Sequence, residues 1–283
     1  MAHPSKPKLE LPDGACDTHF HVFGPQASFP YAADRSYTPA GDAPKEALFA
    51  LHAQLGIERG VVVQSAAHGY DNSAAADLIA ARPRAYRGVA LVRSGIDNAA
   101  LEKLNRQGFL GARFHYVTHL GAGSSIEQVM EFAKRLPRLG WHLQLHFDAA
   151  LLEDMMPALA HSPVPIVVDH MGRIDAAKGL QDSAFQNLMK LLRNKNVWVK
   201  VSGAERASRQ GAPWRDAIPF ARALVAEFGD RVLWGTDWPH PNLKEIPDDG
   251  TLVDILAEIA PSADAREALL VRNPEKFYRF QKP

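Results

Sequence analysis

Short apolar runs alternate with longer amphipathic segments along the whole chain. The strand-like runs fall at 15–21, 60–65, 86–92, 110–116, 141–147, 164–170, 196–202 and 231–237. Several of them, such as VVVQ, PIVVDH and VWVKVS, are apolar almost without interruption, the mark of parallel strands covered on both faces. Between them lie segments of helical period. PKEALFALHAQLG places Leu48, Leu51 and Leu55 on one face, and SIEQVMEFAKRLPRLG repeats the pattern with Ile126, Val129, Phe132 and Leu136. The series DAALLEDMMPALA reads as helix core in the same way.

Eight strands alternating with helices, with no break in composition, predict a single-domain α/β fold of the (β/α)8 TIM-barrel class over residues 13–283. A doubly wound sheet would open with a glycine-rich first turn, whereas the first strand here ends in His-Phe-His. Residues 1–12 read as a flexible N-terminal arm.

Composition narrows the class. At 283 residues, 46% hydrophobic and 23% charged, the chain is an ordinary globular protein long enough for one large barrel. Its 32 basic and 32 acidic side chains leave no general field for nucleic acid, while a small anionic ligand needs only a local cluster. The single cysteine, Cys16, excludes an intramolecular disulfide and fits a reducing compartment. No run has the length of a membrane span and the start has no apolar leader core, so the expectation is a cytoplasmic protein without a membrane partner. Oligomeric state leaves no legible mark.

In a barrel the C-terminal strand ends converge on one mouth, so polar residues far apart in sequence can meet there. Strand one ends with His19 and His21, which share a face at a spacing of two. Strand two ends at Ser65, with His68 just beyond; strand four carries Arg113 and His115, with His119 following. His146, His170 and Ser202 end strands five to seven, and Arg206 follows the last of these. Strand eight supplies Asp237, with His240 after it. Polar endings on apolar strands are hard to explain by packing, although Arg113 could pair with a carboxylate, Arg206 could be a solvated charge, and His146 could be a core histidine.

With DTHFH on strand one, DHMG on strand six, GTDWPH on strand eight and NPEKFY near the end, the chain resembles the lactone-processing branch of the amidohydrolase superfamily. Within that branch, CDTHFHVFGP, FPYAADRSYTP, VVVQSAAHGYDN and GARF resemble the 2-pyrone-4,6-dicarboxylate lactonase family. The resemblance implies hydrolysis of a carboxylated lactone by water. Asp237 would be the general base, and His19, His21 and His170 would surround the reacting carbonyl. Arg113 and Arg206 would hold substrate carboxylates, with Tyr37, Ser65 and Ser202 adding hydrogen bonds.

Two positions depart from that family. It works without a metal and carries tyrosine where this chain has His146; metal-dependent relatives use histidine there as a ligand. His19, His21, His146 and Asp237 would suit one Zn²⁺-like divalent ion, and metal-free action stays open beside it. His119 stands where the family has a further carboxylate-binding arginine. The alternatives are an aldarate-lactone isomerase, a metal-dependent sulfomuconolactone or sugar-acid lactonase, and, from another class, a silent ligand-binding barrel.

Overall fold

The computed structural model describes residues 4–117 and 123–281. Eight parallel strands run in sequential order: β1 (Cys16–Phe20), β2 (Arg59–Val63), β3 (Tyr86–Leu91), β4 (Phe109–Tyr116), β5 (His142–Phe147), β6 (Ile166–Val168), β7 (Val197–Lys200) and β8 (Val232–Leu233). Each predicted run overlaps one of them. The residues just past the ladders of β6, β7 and β8 leave the strand conformation: Asp169, Ser202 and Asp237 stand on loops, and His170 opens a short 3-10 turn over His170–Arg173.

The edges meet. Thr18 donates from its backbone N–H to Trp234 O (2.9 Å), Asp237 N–H to His19 O (2.7 Å) and His21 N–H to Trp238 O (2.7 Å). Gly235 makes this approach possible, because a Cβ there would lie 2.4 Å from His19 N. The ladder between β1 and β2 also shifts register between Asp17 and Phe20, a bulge that re-aims the side chains leading to His19 and His21.

Helices cover the strands, among them α1 (Lys45–Leu55), α2 (Ser73–Ala81), α3 (Asn98–Arg106), α4 (Ile126–Ala133), α5 (Leu152–Leu159) and α6 (Ser183–Leu192). Leu48, Leu51 and Leu55 of α1 are buried, as are Leu152, Met155 and Leu159 of α5. The segment after Ser125 is helical only to Ala133. Pro137 cannot donate to a helical carbonyl, so a single turn over Pro137–Leu139 comes next, and Leu136 still reaches the core.

Two apolar clusters result. The larger joins the outer faces of the strands to the helices. The smaller holds Val61, Val63, Val89, Val167, Trp198 and Leu233 with Tyr278 and Phe280, and fills the barrel interior below the mouth. The N-terminal arm has neither helix nor strand over residues 4–12. It is nevertheless tied down: Ser5 donates to Asp248 through backbone and hydroxyl (2.7 and 2.6 Å), and the Lys8 N–H donates to Asp254 (2.7 Å). Acidic residues late in the chain thus hold an arm whose own sequence reads as loose.

Candidate active site

The interior changes character towards the mouth. On β5 the alternating residues His142, Gln144 and His146 face inward, the first against Phe277 and Tyr278 and the last among other imidazoles. One layer up from the apolar fill, Lys200 is fully buried and donates to Thr18 O (2.8 Å) and Gln144 Oε1 (2.9 Å). Burial lowers its ammonium to a pKa of about 8, against the opposing pull of Asp169.

Above it stand two buried carboxylates. Arg113 donates to Asp169 Oδ2 from Nε (2.9 Å) and pairs with the same oxygen through Nη2 (2.9 Å), while Asp169 Oδ1 lies 3.2 Å from His19 Nδ1 and 3.7 Å from Lys200 Nζ. Burial opposes the charged form of Asp169, and the facing His19, Arg113 and Lys200 outweigh it, keeping the carboxyl well below its ordinary range. Asp237 Oδ2 accepts from Arg206 Nε (2.6 Å) and pairs with its Nη2 (2.5 Å). Asp237 Oδ1 faces three imidazoles, at 3.2 Å from His21 Nε2, 3.6 Å from His19 Nε2 and 3.8 Å from His170 Nε2. Burial would raise Asp237 too, and Arg206 foremost holds it ionised. Its backbone adopts φ +63°, a strained conformation for a non-glycine residue, fixed by the N–H bond to His19.

The histidines are oriented by neighbours. His21 donates from Nδ1 to Val63 O (2.7 Å), which turns Nε2 towards Asp237. His170 shares a hydrogen bond between Nδ1 and Ser202 Oγ (3.0 Å), and burial depresses its pKa to about 3, so it is neutral. His19 Nδ1 lies 3.2 Å from Lys200 Nζ as well as near Asp169, and its Nε2 has no hydrogen-bond partner among the described residues. Burial and Lys200 keep it neutral. His146 is buried with neither ring nitrogen hydrogen-bonded among the described residues, and its ring centroid is 5.5 Å from that of His170.

A cavity of about 40 Å³ opens at this point, lined among others by His21, Tyr37, Arg113, His146, Arg206 and Asp237. Tyr37 shares a hydrogen bond with Ser65 (3.0 Å), and burial pushes its phenol up to about 12, so it is a neutral donor at the rim. His119 lies outside the described residues. Asp169 and Lys200 went unrecognised in the sequence. The signal for Lys200 was its spacing of two from Ser202 on an apolar strand, and for Asp169 its place beside His170.

The donors fit one divalent cation. His19, His21 and Asp237 offer ligand atoms all within 4.8 Å of one another. The Val63 bond turns His21 Nε2 to Asp237 Oδ1, with which it shares a hydrogen bond (3.2 Å) whose place a cation would take, and His19 Nε2 is buried and unpartnered. A second group, His19, Asp169 and His170, has its carboxylate already held by Arg113. His146, expected among the ligands from sequence, belongs to neither group; its position on β5 keeps it beside His170 and His115 instead.

Comparison with known proteins identifies the family. The family model described as amidohydrolase matches residues 16–280. A 2-pyrone-4,6-dicarboxylate hydrolase of Comamonas testosteroni is 46% identical, covering 98% of this chain and 94% of its own length. A 4-sulfomuconolactone hydrolase of Rhizobium radiobacter is 39% identical over 95% of this chain and 91% of its own. Among solved structures, a candidate 2-pyrone-4,6-dicarboxylic acid hydrolase of Acinetobacter baumannii with bound citric acid superposes with a TM-score of 0.85. It is 26% identical and covers 94% of this chain and all (100%) of its own. The chain belongs to the amidohydrolase family.

Proposed function

We propose that the protein is a lactonase that opens a carboxylated lactone of the 2-pyrone-4,6-dicarboxylate type by attack of water on the ring ester carbonyl. The observation that carries this reading is the two-sided use of Asp237. Arg206 fixes Oδ2, and Oδ1 is left at the cavity facing the Nε2 atoms of His21, His19 and His170. A carboxylate held ionised in that way accepts a proton from water as the water oxygen bonds to the carbonyl carbon. The oxyanion that develops lies among imidazoles and beside two guanidinium groups, which stabilise negative charge there. Collapse of the tetrahedral centre breaks the ring C–O bond, and the proton held by Asp237 passes to the departing enolate oxygen. His170 is neutral and oriented by Ser202, so it can donate or accept on that path without carrying charge into the site.

Arg113 and Arg206 line the cavity while holding their own carboxylates, and each offers its remaining guanidinium edge to a substrate carboxylate. Tyr37, with Ser65 behind it, adds a neutral donor. A divalent cation held by His19, His21 and Asp237 would supply Lewis-acid polarisation of the carbonyl and lower the pKa of a bound water. The names of the 46% and 39% identical relatives, both lactone hydrolases, support the reaction class. Among the described residues no helix is long and apolar enough to cross a membrane.

The test is a lactone panel in H₂¹⁸O, monitored by ultraviolet absorbance and NMR. Ring opening with one ¹⁸O in the new carboxylate is expected, fastest for lactones bearing a carboxylate. Ring migration without ¹⁸O uptake would replace hydrolysis with isomerisation, and no turnover of any carboxylated lactone would overturn the reading.

A further inference from the structure

The catalytic cavity, at about 40 Å³, is far smaller than the roughly 300 Å³ at which small-molecule sites begin. A second cavity of about 270 Å³ adjoins it, with Ala66 and His115 as shared walls. Together they reach the size of a ligand site. The annex is built from the segments after β1, β2 and β3 and from the end of β4 and the residues beyond it, and its walls are mainly polar. Arg93, two residues past the end of β3, stands in it with its guanidinium stacked on the Tyr70 ring at 4.2 Å. Among the described residues Arg93 has no carboxylate partner. That sets it apart from Arg113 and Arg206, which hold Asp169 and Asp237. Arg35 lies in the same annex but is engaged by Thr38 Oγ1 and Ala32 O (both 2.9 Å), and Asp34 lines the annex beside it.

We propose that this annex is the subsite for a second carboxylate of the substrate and that Arg93 is the cation that anchors it, making Arg93 a specificity-determining residue for dianionic over monoanionic ligands. The inference rests on the lactonase reading for the identity of the substrate, though not for the existence of an anion site. Stacking on Tyr70 limits the guanidinium to one plane, so less side-chain freedom is lost when an anion docks on its free edge. The ring ester then sits over Asp237 with one carboxylate at Arg113 and Arg206, and the far carboxylate reaches past Ala66 and His115.

The experiment compares wild type with Arg93→Met and Arg93→Lys. Steady-state kinetics use 2-pyrone-4,6-dicarboxylate and 2-pyrone-6-carboxylate, and calorimetry uses the inert planar dianion pyridine-2,4-dicarboxylate. Arg93→Met is expected to raise KM for the dicarboxylate and Kd for the inert dianion about tenfold, as for loss of one charge-assisted contact. The change in kcat should stay within about threefold, the monocarboxylate should be unaffected, and Arg93→Lys should restore part of the loss. If no lactone is turned over but Arg93→Met still weakens the inert dianion, the lactonase reading falls and the anion subsite stands. Unchanged dianion binding, or an equal loss for mono- and dicarboxylate, would overturn the subsite.

Discussion

Asp169 and Asp237 sit at the same barrel mouth, each buried, each gripped by an arginine and each near His19, yet they are built for different work. Asp169 is shut away from the cavity: Arg113 holds Oδ2 twice, and His19 Nδ1 and Lys200 Nζ stand 3.2 and 3.7 Å from Oδ1. Asp237 is held by Arg206 on Oδ2, and its Oδ1, in a hydrogen bond with His21 Nε2 (3.2 Å), reaches the cavity wall. The first arrangement fixes a carboxylate so that it positions its neighbours. The second fixes a carboxylate while keeping one oxygen available to a ligand. Burial and charge are alike in the two; access separates them.

The strongest way to break this comparison is to neutralise each in turn. Asp237→Asn should lower kcat/KM on the best lactone by about 10³-fold or more, within the range that general-base catalysis and transition-state electrostatics supply. Arg206 is left facing a cavity in which solvent can reach it, so the loss in unfolding free energy should be the smaller of the two. Asp169→Asn should reverse the order. It strands Lys200 in a closed interior and takes from the buried Arg113 its carboxylate, at a cost of about 3–5 kcal/mol in urea unfolding, with the smaller effect on turnover of the protein that remains folded. Equal activity losses with equal stability losses would mean that both carboxylates act on substrate.

The division between these two residues also marks how far the sequence can be read. The eight strands and the convergence of His19, His21, His170 and Asp237 are visible in it, because apolar runs and their polar ends are local patterns. Access is not local. Nothing in VVDHMG distinguishes Asp169, sealed beneath Arg113, from an aspartate open to a ligand. Nothing in VWVKVS announces that Lys200 turns into the barrel, since a lysine on a strand is ordinarily solvated. The tethering of the N-terminal arm is equally hidden, for its partners Asp248 and Asp254 lie more than two hundred residues away.

Lys200 gives a titration that sharpens the contrast on the Asp169 side. Its folded pKa of about 8 lies below the ordinary 10.5. Between those values the unfolded chain binds more protons than the folded one, so this group makes stability rise with pH across that window. The stability of wild type relative to Lys200→Met should therefore climb from pH 8 towards pH 10.5, by up to about 3 kcal/mol. Matched urea melts of the two proteins across that range check it. A flat or falling difference would mean that Asp169 holds the ammonium far more firmly than burial discourages it.

His146 supplies the smallest effect and decides how the cation reading extends. It stands between the two carboxylate systems, buried beside His170 and His115, with both ring nitrogens unbonded among the described residues. Burial, then Arg113 and the neighbouring imidazoles, keep its ring neutral, so it contributes no charge to either side. An apolar ring of similar size in its place removes two desolvated nitrogens and leaves the packing nearly intact. His146→Phe should therefore keep the melting temperature within a few degrees of wild type and lower kcat/KM by less than about tenfold. Elemental analysis should still find the one divalent cation per chain that His19, His21 and Asp237 are arranged to hold, while His21→Ala loses it. If His146→Phe lost the cation instead, β5 would have to deliver a ligand that its position beside His170 does not offer. The metal site would then be a four-residue set that forms only as the mouth closes around the ion.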